Sequence, residues 1–336
     1  MSLSRIQFTD DTAFAYALGE IRAKEVKMIP KSEFERMSEM SIEQIKKSLI
    51  DFGYNESDNN IEEDRKKTLS LISHLINNVE KYKDFYRIYF LKNDIYNLKL
   101  YLKKKFQENN ELDFKFIEGT LSEDDIIQIS EKEKYDILSK SREDIKFVKN
   151  MFDTIKNNPV GEIIDVSLEK IYFYFLFKII DKYRIQFLKY YFTEYIDLIN
   201  IENLIRFKLL DKDVFSYKEI FYNYGNLKEI DIYTLYDMDI EKIPQKLFSK
   251  DYYKNIAKAV DEWINKGDFD RFSLEKDNYL MSILKKAKYH AFGIEPLIGY
   301  LEGKETEYKN IYILLNGKKE KIENNIIKEL IRDTYV

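Results

Sequence analysis

Apolar side chains recur at helical spacing along nearly the whole chain. Two segments show the pattern most clearly, because their apolar residues return at steps of three or four and therefore share one face of a helix. In the first segment these residues are Leu69, Ile72, Leu75, Ile76 and Val79. The second segment, residues 84–106, predicts a helix roughly 35 Å long at 1.5 Å per residue. Since no convincing run alternates apolar and polar residues, the pattern predicts an all-α fold without a substantial sheet.

Glycine and proline are scarce, with 10 Gly and 4 Pro among 336 residues, whereas turn-rich β architectures need both at their corners. The prolines fall where helices are expected to begin or end. Pro30 follows the first predicted helix, and Pro159 lies in the breaker cluster Asn-Asn-Pro-Val-Gly. Pro296 suits the first turn of a helix over residues 297–315, whereas Pro244 predicts a short or broken helix.

One signature occurs three times at nearly constant spacing. It consists of a capping residue, a glutamate two positions on and an isoleucine two further on: Ser41-Ile-Glu43-Gln-Ile45, Ser141-Arg-Glu143-Asp-Ile145 and Asp239-Ile-Glu241-Lys-Ile243. The three starts lie 100 and 98 residues apart. Ser or Asp accepts hydrogen bonds from free N–H groups at a helix start, and a glutamate in the first turn suits the positive end of the helix dipole. The first and third copies also share downstream residues: Leu49 and Tyr54, Leu247 and Tyr252.

A second signature, acid-x-x-Asn-apolar, lies within the long predicted helices. Its copies begin at residues 94, 197 and 307, which are 103 and 110 residues apart. Ser-Leu-Glu-Lys precedes the last two copies, and Gly-x-Leu follows the first two, at 119–121 and 225–227. Because these elements keep their order, the sequence predicts three homologous helical repeats. Their expected bounds are residues 1–120, 121–226 and 227–336.

The candidate site residues are the acid and the asparagine of each copy: Asp94, Asn97, Asp197, Asn200, Glu307 and Asn310. Residues three apart share a helix face, so each pair places a polar spot on an otherwise apolar element. One interpretation is a buried polar link that fixes helix register, because buried polar groups generally serve as satisfied internal links. The other is that the three equivalent spots line a shared central surface. The first interpretation is favoured.

The chain lacks the cysteines and the glycine-rich motifs on which many catalytic and cofactor sites depend. It has no cysteine, which excludes disulfides and thiolate chemistry. It also contains neither GxxxxGK[ST] nor GxGxxG, so nucleotide chemistry within the chain is not predicted. The two histidines, His74 and His290, have no motif partner, which favours packing or surface roles over metal ligation. We therefore expect no catalytic, cofactor-binding or metal-binding residues and no small-molecule substrate.

Charge patterning does not indicate a nucleic-acid partner. The net charge is −5, whereas proteins that bind phosphate backbones usually carry a basic excess. The run Lys103–Lys105 is interpreted as a solvated helix end that complements the dipole. Asp237 and Asp239 have a spacing that could hold a cation, but Asp239 is also expected to cap a helix, so the structural interpretation is favoured.

No segment has the composition of a signal peptide or a membrane span. The N-terminal residues lack an apolar core of the kind a signal peptide needs. The most apolar run, residues 171–177, has seven residues and charged flanks, whereas a spanning helix needs about 20 apolar residues. The sequence therefore predicts a cytoplasmic protein that does not itself cross a membrane.

Several stretches of the chain together carry a family resemblance. The densest is Phe292-Gly-Ile-Glu-Pro-Leu-Ile-Gly-Tyr-Leu301, which continues through residues 304–311 and 314–318. The end of the chain, Ile-Arg-Asp-Thr-Tyr-Val, its start around Tyr16 and Ile21–Glu25, and the segments 167–172 and 197–208 contribute as well. These stretches closely resemble the C subunit of bacterial and archaeal V/A-type ATPases, whose eukaryotic counterpart is the d subunit.

The resemblance implies a funnel of three similar helical domains around a pseudo-threefold axis. Its wide end would sit on the membrane rotor ring, and its cavity would receive the tip of the central shaft. The chain would then be a non-catalytic central-stalk coupling subunit, peripheral on the cytoplasmic face, with the shaft subunits and the rotor ring as partners. Other subunits would handle ATP, and H⁺ or Na⁺ would cross through the ring.

Two other functions are compatible with a helical repeat protein. The first is an adaptor that binds an unrelated protein along a solenoid groove. The second is an enzyme that uses an acid pair such as Asp94 and Asp197, which would require the two carboxylates to converge in one pocket. The repeat pattern already accounts for those acids, so the enzyme ranks last.

Overall fold

A computed structural model describes residues 7–54, 60–83, 85–107, 116–214 and 217–336. These ranges hold sixteen α-helices and no strand, which confirms the predicted all-α class. The helices are α1 (Ala15–Glu25), α2 (Lys31–Met37), α3 (Ile42–Asp51), α4 (Asn60–Asn77), α5 (Arg87–Gln107), α6 (Glu123–Lys132), α7 (Arg142–Asn157), α8 (Gly161–Tyr183), α9 (Gln186–Leu209), α10 (Tyr217–Ile220), α11 (Glu229–Asp237), α12 (Ile243–Lys246), α13 (Tyr253–Lys266), α14 (Asp270–Lys288), α15 (Glu295–Lys319) and α16 (Asn324–Leu330). Short 3₁₀ helices lie at Thr12–Phe14, Glu80–Tyr82, Tyr135–Ile137 and Ile240–Lys242.

The prolines occupy the helix ends that the sequence predicts. Pro30 is the N-cap residue of α2, and Pro159 lies between α7 and α8. Pro244 lies in the four-residue helix α12, and Pro296 in the first turn of α15. At N1 or N2 of a helix the missing N–H of proline costs little, because that group has no intrahelical partner in any case.

The first signature marks helix starts in all three copies, but only one copy caps through its side chain. Ser41 forms a capping box with Gln44 at the start of α3. Ser141 is the N-cap residue of α7 without a side-chain cap bond. Asp239 precedes a 3₁₀ helix, and its carboxylate pairs with Lys242 at 2.6 Å instead of capping. The expected cap at Asp239 is therefore wrong, because a lysine one turn on competes for the carboxylate.

The chain folds into two compact units. The first unit comprises Met1–Lys83, Ile185–Arg206 and Gly225–Val336. The second comprises Asp84–Arg184 and Phe207–Tyr224. The repeat boundaries expected near residues 120 and 226 concern self-similarity of the sequence and stay predictions.

Helix α15 is the centre of the first unit. It packs against α1, α2, α3, α4, α14 and α16. Its apolar residues join those of the N-terminal helices in one cluster: Ile29, Phe34, Met37, Ile45, Leu49, Tyr54, Ile61, Tyr308, Ile311, Leu314, Ile327 and Ile331. The ring of Tyr335 lies against α15, and a Cβ on Gly303 would come within 2.6 Å of the Tyr335 Cβ atom. Tyr335 thus packs against α15 at a position where glycine leaves no side chain in the way.

The second unit is built around α5, α7 and α8. Its apolar cluster comprises Ile95, Leu98, Leu102, Ile126, Ile129, Tyr135, Val148, Phe152, Ile155, Ile164, Leu168 and Ile171. The most apolar run of the sequence lies within α8, where Ile171, Phe173, Leu176 and Phe177 are buried. In the ranges that the structure covers, every helix is too short or too polar to cross a membrane.

Candidate functional site

The first acid–asparagine pair lies in α5 and holds the segment that leads into α6. Asp94 is 1% exposed and accepts hydrogen bonds from the backbone N–H groups of Thr120 at 2.8 Å and Leu121 at 2.9 Å. The amide of Asn97 donates to the carbonyl of Ile117 at 2.8 Å and accepts from its N–H at 3.0 Å. The pair therefore satisfies four backbone groups of that segment.

The second pair lies in α9. Asp197 and Asn200 are fully buried. The carboxylate of Asp197 accepts hydrogen bonds from the N–H of Leu227 at 2.8 Å and from the hydroxyl of Tyr252 at 3.2 Å. Burial raises the pKa of Asp197, and the hydrogen bond from Leu227 opposes the rise.

The third pair lies in α15 and binds segments from both ends of the chain. Glu307 accepts from the N–H of Ile29 at 2.7 Å and from the Tyr54 hydroxyl at 2.6 Å. The amide of Asn310 donates to the carbonyl of Arg332 at 3.1 Å and accepts from its N–H at 2.9 Å. This two-bond pairing repeats the one that Asn97 makes in the second unit.

The three acids therefore make the same kind of contact. Each accepts a backbone N–H a short distance before a helix, from Leu121 before α6, Leu227 before α11 and Ile29 before α2. The tyrosine that the first and third copies of the first signature share also recurs as a partner, since Tyr54 and Tyr252 donate to Glu307 and Asp197. Asp94 and Asp197 thus each hold the segment before a helix that follows in the sequence, whereas Glu307 holds the segment before α2.

The Gly-x-Leu signature is explained by these contacts. A Cβ on Gly119 would lie 2.0 Å from Asp94 Oδ1, and one on Gly225 would lie 2.2 Å from Asp197 Oδ1. Only glycine permits so close an approach between the segment and the carboxylate. In the third copy, Lys27 occupies the position that corresponds to these glycines, two residues before Ile29. The acid that binds Ile29 is a glutamate. Its side chain is one methylene longer than that of aspartate, so it reaches the backbone N–H from a greater distance.

One helical turn before each acid, the three copies differ in charge. The residues are Leu91, Glu194 and Lys304. The ammonium of Lys304 lies 2.7 Å from Glu307 Oε1, 2.7 Å from the Tyr54 hydroxyl and 3.0 Å from Asp64. It is 7% exposed, so it neutralises the carboxylate inside the core.

In the middle copy the same position adds a second acid. Glu194 accepts from the Tyr279 hydroxyl at 2.8 Å and from the Asn226 amide at 3.3 Å. Burial raises the pKa of Glu194 to about 7, and the neighbouring Asp197 carboxylate adds to this, while the Tyr279 hydrogen bond opposes it.

The structure thus brings each predicted pair onto one buried helix face. It places Asp197 and Glu307 in the first unit, and Asp94 in the second. Sequence reasoning missed Glu194 and Lys304. The sequence did contain a signal. When the three acid helices are aligned on their Asp or Glu, the position three residues earlier holds an apolar, an acidic and a basic residue. Helical spacing predicts that this position lies on the same face as the acid.

The remaining candidate residues have structural partners. The ring of His290 stacks on Phe8 at 4.9 Å, and its Nε2 lies 2.9 Å from the Thr9 carbonyl. Lys103 and Lys105, expected to be solvated, pair with Asp165 and Glu131 at 2.7 and 2.9 Å. Those lysines bridge helices because acids of α8 and α6 lie within reach. Within the described part of the chain, no three His, Cys, Asp or Glu side chains cluster so that they could hold a metal ion.

Comparison with known proteins agrees with the resemblance seen in the sequence. Residues 17–330 match the model of the family described as ATP synthase (C/AC39) subunit. The chain belongs to the ATP synthase (C/AC39) subunit family. The resemblance to the C subunit of V/A-type ATPases is thereby confirmed.

Two of the relatives align with nearly the whole length of this C/AC39 chain, and a third with less than half of it. The C subunit of the V-type sodium ATPase of Enterococcus hirae is 23% identical over 324 residues, which cover 94% of this chain and 97% of the relative. The C subunit of the A-type ATP synthase of Methanococcoides burtonii is 22% identical over 344 aligned positions, with 94% and 93% covered. Its counterpart in the A-type ATP synthase of Methanothermobacter thermautotrophicus is 27% identical over 148 residues, or 42% of this chain and 38% of the relative.

Proposed function

We propose that this chain is the non-catalytic central-stalk coupling subunit of a V/A-type rotary ATPase. It links the rotor shaft to the membrane ring, so that ATP hydrolysis or synthesis by other subunits is coupled to H⁺ or Na⁺ transport through the ring. It lies at the cytoplasmic face of the membrane, and its three repeats form the funnel that the resemblance implies. Its partners are the shaft subunits and the rotor ring.

The observation that carries this proposal is the end-to-end match to the C subunits of two ATPase complexes. These two matches cover more than nine tenths of both chains, so the likeness concerns the whole protein. One of those relatives is named as part of a sodium ATPase and the other as part of an ATP synthase. A component shared by both kinds of complex suits a coupling part better than a part specific to one ion.

The build of the chain supports a mechanical role. Helices α8, α9 and α15 are 23, 24 and 25 residues long, which corresponds to rods of about 35 Å at 1.5 Å per residue. The three buried acids bind backbone N–H groups, and a charge-assisted bond of this kind is stronger than a neutral one. We therefore propose that the acid–asparagine pairs are structural links that stiffen the body, and that they do not line a cavity.

Large apolar side chains on and beside α1 also support membership of an assembly. Tyr16 is 78% exposed and Val26 is 80% exposed, and Gly19, on the same helix, has nothing within 4 Å of its Cβ position. Contact with a partner subunit would remove the apolar surface of these two side chains from water.

The test is reconstitution of the ATPase complex with and without this chain. Omitting the chain should leave ATP hydrolysis by the catalytic part largely intact but abolish ATP-driven ion transport into vesicles that contain the rotor ring. Adding the purified chain back should restore transport and should give a complex in which the chain co-purifies with shaft and ring.

Three results would overturn the proposal. Loss of ATP hydrolysis itself on omission would indicate a catalytic role. Undiminished ion transport without the chain would exclude coupling. Stable binding to an unrelated protein with no affinity for the shaft subunits would favour the adaptor.

A further inference from the structure

Helix α9 carries two buried carboxylates one turn apart. Glu194 is 4% exposed and Asp197 is fully buried, and side chains three residues apart share a helix face. In the described part of the chain, neither acid has a lysine or arginine within ion-pair distance. In α15 the residue at the position of Glu194 is Lys304, which lies 2.7 Å from Glu307. The middle copy therefore has a second acid where the last copy has its cation.

Two like charges at this depth are costly. Burial disfavours the ionised form of each carboxyl, and each charge disfavours the other. Accordingly the pKa of Glu194 is raised to about 7 and that of Asp197 is raised as well, burial being the largest cause for both. The pair holds one proton far more readily than an exposed glutamate and aspartate do.

A chain of hydroxyl groups connects Glu194 to the surface. The Tyr279 hydroxyl donates to Glu194 Oε2 at 2.8 Å and lies 3.2 Å from the Tyr190 hydroxyl. The Tyr190 hydroxyl donates to Asp251 Oδ2 at 2.8 Å, and Asp251 is exposed. Because each hydroxyl can both donate and accept, a proton can pass between the buried acid and solvent by successive shifts along this chain.

The two acids also hold the loop Gly225–Leu227, which precedes α11. The Asn226 amide donates to Glu194 Oε1 at 3.3 Å, and the Leu227 N–H donates to Asp197 Oδ1 at 2.8 Å. The groups that face Glu194 come from its own helix, from α14, from the segment before α13 and from this loop: Tyr190, Asp197, Tyr279, Lys250, Asp251, Tyr252 and Asn226. Lys250 is the cation among them, and it acts from beyond ion-pair distance.

We propose that Glu194 and Asp197 share one proton, and that losing this proton loosens the hold of α9 on the loop Gly225–Leu227. With the proton bound, the pair carries one negative charge, and the Asn226 amide can turn so that its carbonyl accepts from the protonated Glu194. Without it, the pair carries two negative charges one helical turn apart, and Lys250 offsets them only from beyond ion-pair distance. All the groups of this link lie within this one chain, so the proposal does not depend on the proposed function.

Amide hydrogen exchange on the full-length chain tests the proposal, with the Leu227 N–H as reporter. Once the intrinsic exchange rate is divided out, its protection should fall about tenfold between about pH 6 and about pH 8, because opening returns Glu194 to its ordinary pKa of 4.5. The equivalent amides serve as internal controls. Leu121, which binds Asp94, and Ile29, which binds Glu307, should show no such fall, since leucine and lysine replace Glu194 there.

Two variants complete the design. Glu194→Gln keeps the shape of the side chain and should make the protection of Leu227 independent of pH over this range. Glu194→Lys copies the charge arrangement of α15 and should have the same effect, so the test does not rest on the folding of one variant. Constant protection of Leu227 in the wild type, or an undiminished fall in both variants, would overturn the proposal.

Discussion

A single methylene distinguishes the aspartates of α5 and α9 from the glutamate of α15. This difference in length determines which residue can lie against the carboxylate. The short carboxylates of Asp94 and Asp197 lie directly against a glycine, since the Cβ positions of Gly119 and Gly225 would be 2.0 and 2.2 Å from a carboxylate oxygen. The acid and the residue that faces it therefore vary together: aspartate occurs with glycine, and Glu307 occurs with Lys27, which carries a side chain.

Adding a methyl group at these glycines should displace the carboxylates. We expect Gly225→Ala to lower the free energy of unfolding by about 1–3 kcal/mol, as overpacked sites do, and Gly119→Ala to do the same. The control is Gly19→Ala in α1, where nothing lies within 4 Å of the Cβ position and alanine should stabilise the helix by about 0.5–1 kcal/mol. Urea denaturation of the three variants measures this, and equal effects at all three sites would contradict the close-contact explanation.

The buried cation of α15 allows a second prediction at the residue scale. Lys304 and Glu307 are 7% and 1% exposed, so removing one partner leaves a charge inside the core. Lys304→Met alone should cost about 3–5 kcal/mol of stability, whereas the double variant with Glu307→Gln should cost clearly less than the sum of the single variants. A double-mutant cycle from denaturant unfolding measures the coupling, and additive effects would rule out the ion pair as its source.

Individual helices differ in how their ends are made, although the sequence signature is shared. Ser41 and Ser141 both precede a glutamate in the first turn. Only Ser41 accepts the backbone N–H of Gln44, at 3.3 Å, while the Gln44 side chain accepts the Ser41 N–H at 2.9 Å. A reciprocal cap satisfies two otherwise free donors. The same signature therefore stabilises the start of α3 more than the start of α7.

Capping provides a matched pair of substitutions at the element scale. Ser41→Ala should cost about 1 kcal/mol of stability because it removes a side-chain cap bond. Ser141→Ala removes no such bond and should change stability by less than about 0.5 kcal/mol. Thermal unfolding compares the two variants. A larger loss for Ser141→Ala would show that the hydrogen bonds do not govern these helix starts.

At the scale of the whole molecule, chain order and packing order differ. The first unit combines both ends of the chain with most of α9, and α15 binds Ile29, Tyr54 and Arg332 at once. Glu307 binds Ile29 across 278 positions, whereas Asp94 and Asp197 bind segments 27 and 30 positions further along the chain. Stability of the first unit therefore rests on contacts that form only when distant segments meet.

The acid pair of α9 should make global stability depend on pH. Because the pKa of Glu194 is raised from 4.5 to about 7 in the folded chain, its protonated form stabilises the fold fully below about pH 4.5, and this contribution is lost as the pH rises through about 7. Relative to Glu194→Gln, the wild type should lose on the order of 3 kcal/mol over that range. Unfolding by urea at several pH values measures the difference.

The exposed Glu241 offers a comparison for this titration. Glu241→Gln should follow the pH dependence of the wild type, since that side chain is solvated. Parallel curves for the wild type and Glu194→Gln would show that Glu194 does not titrate in this range.

By itself the sequence determined the all-α class, the helix breaks at the four prolines, the repeated acid–asparagine pairs and the family. Helical periodicity, proline chemistry and fixed spacing are local properties, so one dimension suffices to detect them. Only the tertiary structure decided what the pairs bind, why Gly119 and Gly225 are glycine, and that Glu194 and Lys304 face the acids of their helices. These depend on contacts between residues up to 278 positions apart, as between Ile29 and Glu307, and on burial, which turns an ordinary glutamate into a group that titrates near neutral pH.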